Sequence, residues 1–258
     1  ARADKYELYH LAVQAPDDEV EFLERVYRER RRRASRHLRE DFSGTALVAA
    51  AWVRQGRGRS AEAYDIDPEV FDWARRHHVG ALGKRAERLA LCLDDVRTPS
   101  RRPPDVRCAE NFSYFLLKQR AELLAYFAHV HGDLADDGVF VIDAWGGDGA
   151  TDPTEEKRKL PGGVTYVWEQ RRYEPATSEM ECHIHFRFRD GSALNRAFTY
   201  RWRYWFLPEL RDLLFEAGFA SVDAYFEEYG EDGNGTGVFS QGNGPVDAAY
   251  IAYLVAAK

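Results

Sequence analysis

Residues 37–70 read HLREDFSGTALVAAAWVRQGRGRSAEAYDIDPEV, and the succession of patterns within them decides the fold. A short run at 37–41 enters a loop with a single glycine, Gly44, and an apolar helical stretch follows at 45–54. A second short run at 61–65 ends on Asp65, and a helix starts at Pro68, whose fixed φ suits a first helical turn. The alternation continues through helix 68–79, strand 88–93, strand 105–110, helix 118–134 and strand 138–143. Strands separated by helices imply right-handed crossovers and a mostly parallel, doubly wound α/β sheet.

Two helical segments precede this core, about 4–14 and a second from Pro16, in which Val20, Leu23, Val26 and Tyr27 share one face. After residue 144 a loop rich in Gly, Asp and Pro leads to strand-like runs at 163–173, 180–189 and 194–205, with Asp190-Gly191 as a hairpin signal. The chain returns with helix 207–217, strands near 220–227 and 249–256, and a glycine-rich loop at 230–244 between them. The expected organisation is one domain over 1–258. It comprises an N-terminal helical lid at 1–34, a cofactor-binding core at 36–146, an antiparallel insertion at 147–206 and the rest of the core at 207–258.

The chain has 258 residues, 45% of them apolar, enough for a single large core. Its 43 acidic against 36 basic side chains, net −7, disfavour a polyanionic partner such as DNA or tRNA. The one basic run, RERRRRASR at 28–36, reads either as a nucleic-acid patch or as the cationic end of a helix, where the dipole favours positive charge. Cys92, Cys108 and Cys182 form no CxxC pair, so neither a disulfide framework nor a cysteine metal site is expected, and a reducing cytoplasm fits. No apolar run approaches the roughly 20 residues of a membrane span, and the charged N-terminus lacks the apolar region of an export signal.

In an open parallel sheet, ligands bind beyond the carboxyl ends of the strands, where connections change direction. Those ends are acidic here: Glu40-Asp41 after the first run, Asp65-Ile66-Asp67 after the second, Asp94-Asp95-Val96 after the third, Glu110-Asn111 after the fourth. Asp65 lies 21 residues beyond Gly44, close to the roughly 20 that separate a glycine loop from a ribose-binding acid. A helix N-cap is the competing role, and Asp67, directly before Pro68, suits it better. A pyrophosphate would need several glycines for close approach and no competing negative charge. This loop has one glycine, with Glu40 and Asp41 beside it. A phosphate-free nucleoside carrying an ammonium and a sulfonium suits these residues, and S-adenosyl-L-methionine is such a molecule. Asp95 is then placed for an adenine amine and the Val96 N–H for a ring nitrogen, with Asp94 as the alternative because side chains alternate along a strand.

The series EDFSGTA (40–46), AYDIDPEVFDWAR (63–75), LDDVRTP (93–99), AENFSYF (109–115) and LADDGVFVIDAWGG (134–147) resembles the ordered motifs of class I S-adenosylmethionine-dependent methyltransferases. It is most similar to the small-molecule type, the glycine and amino-sugar N-methyltransferases. The resemblance implies a Rossmann-like seven-stranded sheet with an antiparallel β insertion after strand five. It also implies S-adenosyl-L-methionine as cofactor, S-adenosyl-L-homocysteine as product, and in-line methyl transfer to a small-molecule acceptor, in the first place an amine nitrogen. Carried over by position, Glu40 would hold the methionyl amine, with Phe42 and Gly44 in the adjoining loop. Asp65 would bind ribose with Ile66 beside it, Asp95 and Val96 would meet adenine, and Asn111 would begin the loop flanking the methionine portion. The departure lies in the glycine loop, where ExGxGxG becomes ExFxGxA, Phe42 and Ala46 replacing glycines. O- or C-methyl transfer, and a cofactor-binding module without turnover, are the alternatives.

Acceptor contacts are expected from three places. The first helix supplies Tyr6, Tyr9 and His10, the fourth strand's loop Asn111, Ser113 and Tyr114, and the insertion Trp168 and Trp202. Along 180–189, His183, His185, Arg187 and Arg189 share one face while Cys182, Ile184, Phe186 and Phe188 share the other. The charged face is either solvated or brings His183 or His185 to the site as a general base; Tyr114 is the third candidate catalytic group. No metal is expected. The partner is a small-molecule acceptor rather than nucleic acid or a membrane, and a homodimer is compatible with this reading.

Overall fold

Asp4 caps the first helix, α1 (Lys5–Val13), by accepting the N–H groups of Tyr6 and Glu7. Pro16 and three acids open α2 (Pro16–Arg31), and Arg32 ends it in the left-handed conformation at φ 54°. The computed structural model describes residues 3–231, 235–245 and 248–258. In it these helices precede β1 (His37–Asp41), α3 (Leu47–Gln55), β2 (Ser60–Asp65), α4 (Pro68–Ala74), β3 (Leu89–Leu93), β4 (Val106–Ala109), α5 (Arg120–Asp133) and β5 (Val139–Gly146). Four strands of the insertion follow, β6 (Thr154–Lys159), β7 (Thr165–Glu174), β8 (Glu179–Arg187) and β9 (Ala193–Arg203). The chain closes with α6 (Leu207–Glu216), β10 (Ser221–Tyr229), β11 (Gly235–Gln241) and β12 (Tyr250–Ala257).

The main sheet has the order β11-β10-β12-β5-β4-β1-β2-β3, parallel from β5 to β3 and antiparallel from β5 to β11. The expectation of seven strands is corrected to eight, because β11 occupies part of the stretch read as a glycine-rich loop; residues 232–234 of that stretch lie outside the described ones. As an edge strand, β11 leaves most of its side chains exposed. Backbone pairing to β10 and the hydroxyls of Thr236 and Ser240 on Glu228 hold it, so no apolar alternation marks it. The insertion likewise forms a separate antiparallel sheet, β6-β7-β8-β9, whose unexpected member β6, TEEKRK, is an exposed charged edge.

Val20, Leu23, Val26 and Tyr27 of α2 pack with α3 on one face of the main sheet, and α5 and α6 cover the other. Segment 1–34 therefore divides. Its second helix belongs to the core, while α1 packs on the insertion sheet through Leu8, Ala12, Ile184 and Phe186. Three arginines of the basic run have partners within the molecule: Arg30 pairs with Asp223 at 2.7 Å, the exposed Arg33 with Asp137 at 2.7 Å, and Arg31 donates to the Asp137 and Lys258 carbonyls. Among the described residues no helix is long and apolar enough to cross a membrane.

Candidate active site at the carboxyl ends of β1 and β4

A cavity of about 160 Å³ opens where β1 and β4 end. Its floor is the loop after β1, Phe42 to Thr45, and the start of the loop after β4, Glu110, Asn111 and Ser113. Its roof is α1, which contributes Tyr6, Tyr9 and His10 but no lysine or arginine among the lining residues; Phe198 and Tyr200 of β9 form a wall. Several contacts hold the roof down. Trp73 Nε1 donates to Asp4 at 2.8 Å, and His10 Nε2 lies 2.7 Å from Thr45 Oγ1. Burial and the neighbouring His78 push His10 down to about 4, so it is neutral near pH 7.

Phe42 and Ala46 stand at two of the three positions of the glycine pattern. Phe42 (φ 51°), Gly44 (φ 50°) and Ala46 (φ 55°) all take the left-handed conformation, a cost that non-glycine residues bear when surroundings over-determine them. Those surroundings are visible: Ser43 N–H donates to Tyr64 O at 2.9 Å, and Gly44 N–H to Asp65 Oδ2 at 2.7 Å. Asp65 also accepts the Asp67 N–H at 2.9 Å, and burial pushes its carboxyl pKa upward. Asp67 accepts the Glu69 N–H at 2.8 Å as the N-cap of α4. Beside these acids, Ile66 and Leu93 leave large apolar side chains 75% and 53% exposed.

Other expected residues sit differently. Asp41 turns away from the cavity's charge, accepting from Arg39 Nε at 2.7 Å, Arg107 Nε at 2.6 Å and the Tyr126 hydroxyl at 2.7 Å, all deep in the core. Glu40 Oε2 accepts the Ala49 N–H at 2.8 Å in the first turn of α3, and burial raises its carboxyl to about 8. Asp95 is held at two points by Arg97, Nε at 2.8 Å and Nη2 at 2.6 Å, which lowers its carboxyl to about 2. Asp94, by contrast, accepts the neighbouring Asp95 N–H. The Val96 carbonyl accepts from both Arg39 and Arg107.

The three candidate catalytic groups do not reach the cavity. Register pairs Cys182 with Tyr200 and Ile184 with Phe198, which puts His183 and His185 on the opposite face by strand alternation. There His183 contacts Thr199 Oγ1 at 3.0 Å and Glu181 at 3.1 Å, and His185 contacts Glu169 at 3.0 Å. Tyr114 is fully buried and donates to the Asp143 carbonyl at 2.7 Å, a structural bond. Trp202 is buried and stacks on Tyr200 at 4.3 Å, backing the wall rather than lining it, and Trp168 lies behind Trp202. Sequence reasoning missed Phe198 and Tyr200, although Phe198, Tyr200 and Trp202 form a period-two aromatic stripe. It also left Glu110 without a role.

Among the described residues no group of three or more His, Cys, Asp or Glu side chains is arranged to hold a metal ion. No protein-family model and no curated protein matches the chain. Solved structures do match. An S-adenosylmethionine-dependent methyltransferase from Clostridium acetobutylicum is 14% identical, with 96% of each chain covered and a TM-score of 0.69. CalS10, an amino pentose methyltransferase from Micromonospora echinaspora, is 16% identical over 98% of each chain at 0.67. The sugar N-methyltransferase KedS8 from a Streptoalloteichus species is 20% identical, covering 98% of this chain and 93% of its own, at 0.60. The chain thus shares its fold, insertion included, with methyltransferase structures.

Proposed function

We propose that the protein is an S-adenosyl-L-methionine-dependent methyltransferase acting on the nitrogen of a small-molecule amine. The carrying observation is the make-up of the cavity wall: the carboxyl groups of Glu40 and Glu110 are in it, and no lysine or arginine is among the described lining residues. A phosphate would find no cation there, while an ammonium or sulfonium would favour the ionised form of the carboxyls, which burial otherwise disfavours. The nucleoside end of the cofactor is supported by Asp65, whose oxygens are oriented by two backbone N–H groups and keep lone pairs for ribose hydroxyls. Ile66 and Leu93 would cover the faces of a planar base, a use for apolar side chains otherwise left in water. The base's amine falls to Asp94, since Arg97 occupies Asp95.

The cofactor, when bound, supplies a methyl group activated on sulfur. The chain's own part is to align the acceptor, exclude water and remove a proton from its nitrogen. As a lid, α1 would exclude water with Tyr6 and Tyr9, and its aromatic faces suit a cation. The fold shared with sugar N-methyltransferase structures supports the amine over oxygen or carbon, as does the acidity of the wall.

Titration calorimetry tests the cofactor assignment. The expected result is that S-adenosylhomocysteine binds the folded protein and NAD does not; a folded protein that binds no S-adenosylhomocysteine overturns the reading. Release of S-adenosylhomocysteine from S-adenosylmethionine in the presence of small aliphatic amines then distinguishes an enzyme from a binding module.

A further inference from the structure

Glu110 is the one carboxylate of the cavity wall that no described residue satisfies. It is 7% exposed, and neither carboxylate oxygen has a hydrogen-bond partner among the described residues. A buried carboxyl without partners is costly, of order several kcal/mol when ionised, and a cationic ligand at the cavity would offset that cost. The groups facing it bring no compensation. They are Glu19 of α2, Glu40 of β1, Asp143 of β5, the Tyr253 phenol of β12 and the Cys108 thiol of β4, with no cation among them. Glu19 repeats the pattern, with one oxygen on the Ala15 N–H and the other buried without a partner.

The backbone turns sharply directly after this residue. Asn111 and Phe112 are consecutive left-handed residues, each at φ 56°, a strain that persists only when other contacts enforce it. The Phe112 N–H donates to Asp143 Oδ1 at 2.9 Å, and Ser113 Oγ donates to the Glu110 carbonyl at 2.8 Å. Position in the sheet gives direction. Asp65 ends β2, and Glu110 follows β4 two strands away across β1, roughly 10 Å at normal strand spacing. A nucleoside seated at Asp65 would therefore extend its reactive end across β1 toward Glu110, with Glu40 beneath it and the aromatic side chains of α1 and β9 above.

We propose that Glu110 binds the ammonium group of the acceptor and takes its proton, which makes the acceptor a primary or secondary aliphatic amine. The inference rests on the methyltransferase reading above. The proton passes from the ammonium to the carboxylate, the freed nitrogen pair forms the N–C bond to the methyl group, and the C–S bond breaks with its pair left on sulfur. Total charge is conserved, since the neutralised carboxylate balances the loss of the sulfonium. Burial among acids raises the carboxyl well above its ordinary value, which suits a group that must accept a proton from an amine.

Sinefungin provides a defined probe, because it carries a primary amine on carbon where the cofactor carries its methyl-bearing sulfur. Its affinity and that of S-adenosylhomocysteine are measured by calorimetry on the wild type and Glu110→Gln. We expect the wild type to prefer sinefungin, and the variant to lose about 10- to 100-fold in sinefungin affinity, the range for one charged hydrogen bond. Its S-adenosylhomocysteine affinity stays within about threefold. An equal loss for both ligands assigns Glu110 to the cofactor's own amine and overturns the proposal, as does an unchanged preference for sinefungin. Wild-type protein that binds neither ligand overturns the methyltransferase reading itself. A second arm needs no variant: in buffers of different ionisation enthalpy at neutral pH, sinefungin binding to the wild type releases more protons than S-adenosylhomocysteine binding, and equal release overturns the assignment.

Discussion

Arg39 and Arg107, in register in β1 and β4, donate to the same carbonyl oxygen, that of Val96, each at 2.6 Å. Both guanidinium groups are fully buried, and Asp41 and Asp133 supply the opposing charge. Arg39 also donates to Thr98 O at 2.8 Å and Ser100 Oγ at 3.0 Å. The loop after β3, which carries Asp94 and Asp95, is thereby tied to the two strands that floor the cavity. A buried pair of like charges is tolerable because every donor finds a carboxylate or carbonyl.

Breaking this network is expected to destabilise the protein severely. Arg107→Met leaves Asp41 and Asp133 buried with one partner fewer, a loss of about 3–5 kcal/mol that denaturant unfolding would read. Arg97→Met, which breaks the exposed pair with Asp95, should cost under about 1 kcal/mol. Equal small losses would mean that the arginines are solvated after all.

Asp65→Ala would remove the carboxylate proposed to accept two ribose hydroxyls. S-adenosylhomocysteine affinity should fall roughly 10- to 100-fold, the worth of hydrogen bonds to a charged group. Asp67→Ala deletes the α4 cap and should lower stability by about 1 kcal/mol with the affinity nearly unchanged. Calorimetry and thermal unfolding on the two variants separate the roles, and an unaffected affinity in Asp65→Ala moves the nucleoside elsewhere.

The double variant His183→Ala/His185→Ala should bind S-adenosylhomocysteine as the wild type does and retain methyl transfer within about threefold, because both rings bond to carboxylates on the outer face. A tenfold or larger fall in kcat/KM would restore them as candidate bases.

Stability should fall as pH rises. Burial raises Glu40 to about 8 and Asp143 to about 7, against ordinary values of 4.5 and 3.8. Across that window the unfolded chain has released protons that the folded chain keeps, so each group's contribution is full below the ordinary value and gone above the raised one. The slope approaches about 1.4 kcal/mol per pH unit per group. Glu40→Gln, which can still accept the Ala49 N–H, should flatten the profile by about one group's share; an unchanged slope in denaturant melts across the window would show that Glu40 does not titrate there.

Local pattern was enough to determine the alternation of strands and helices, the capping role of Asp67 and the position of Asp65, because each depends on residues close in sequence. Apolar periodicity, proline at a first turn and a fixed glycine-to-acid spacing act over short distances. The same pattern could not reveal β6 or β11, whose edge positions rest on backbone pairing rather than on side-chain alternation. Nor could it say where a carboxylate points. Glu40, Asp41, Asp95 and Glu110 look alike as acids at strand ends, yet one caps α3, one neutralises two arginines, one is held by Arg97 and one stands unpartnered in the cavity. Their partners lie on other elements, so only the tertiary structure decided which of them is left without a partner among the described residues.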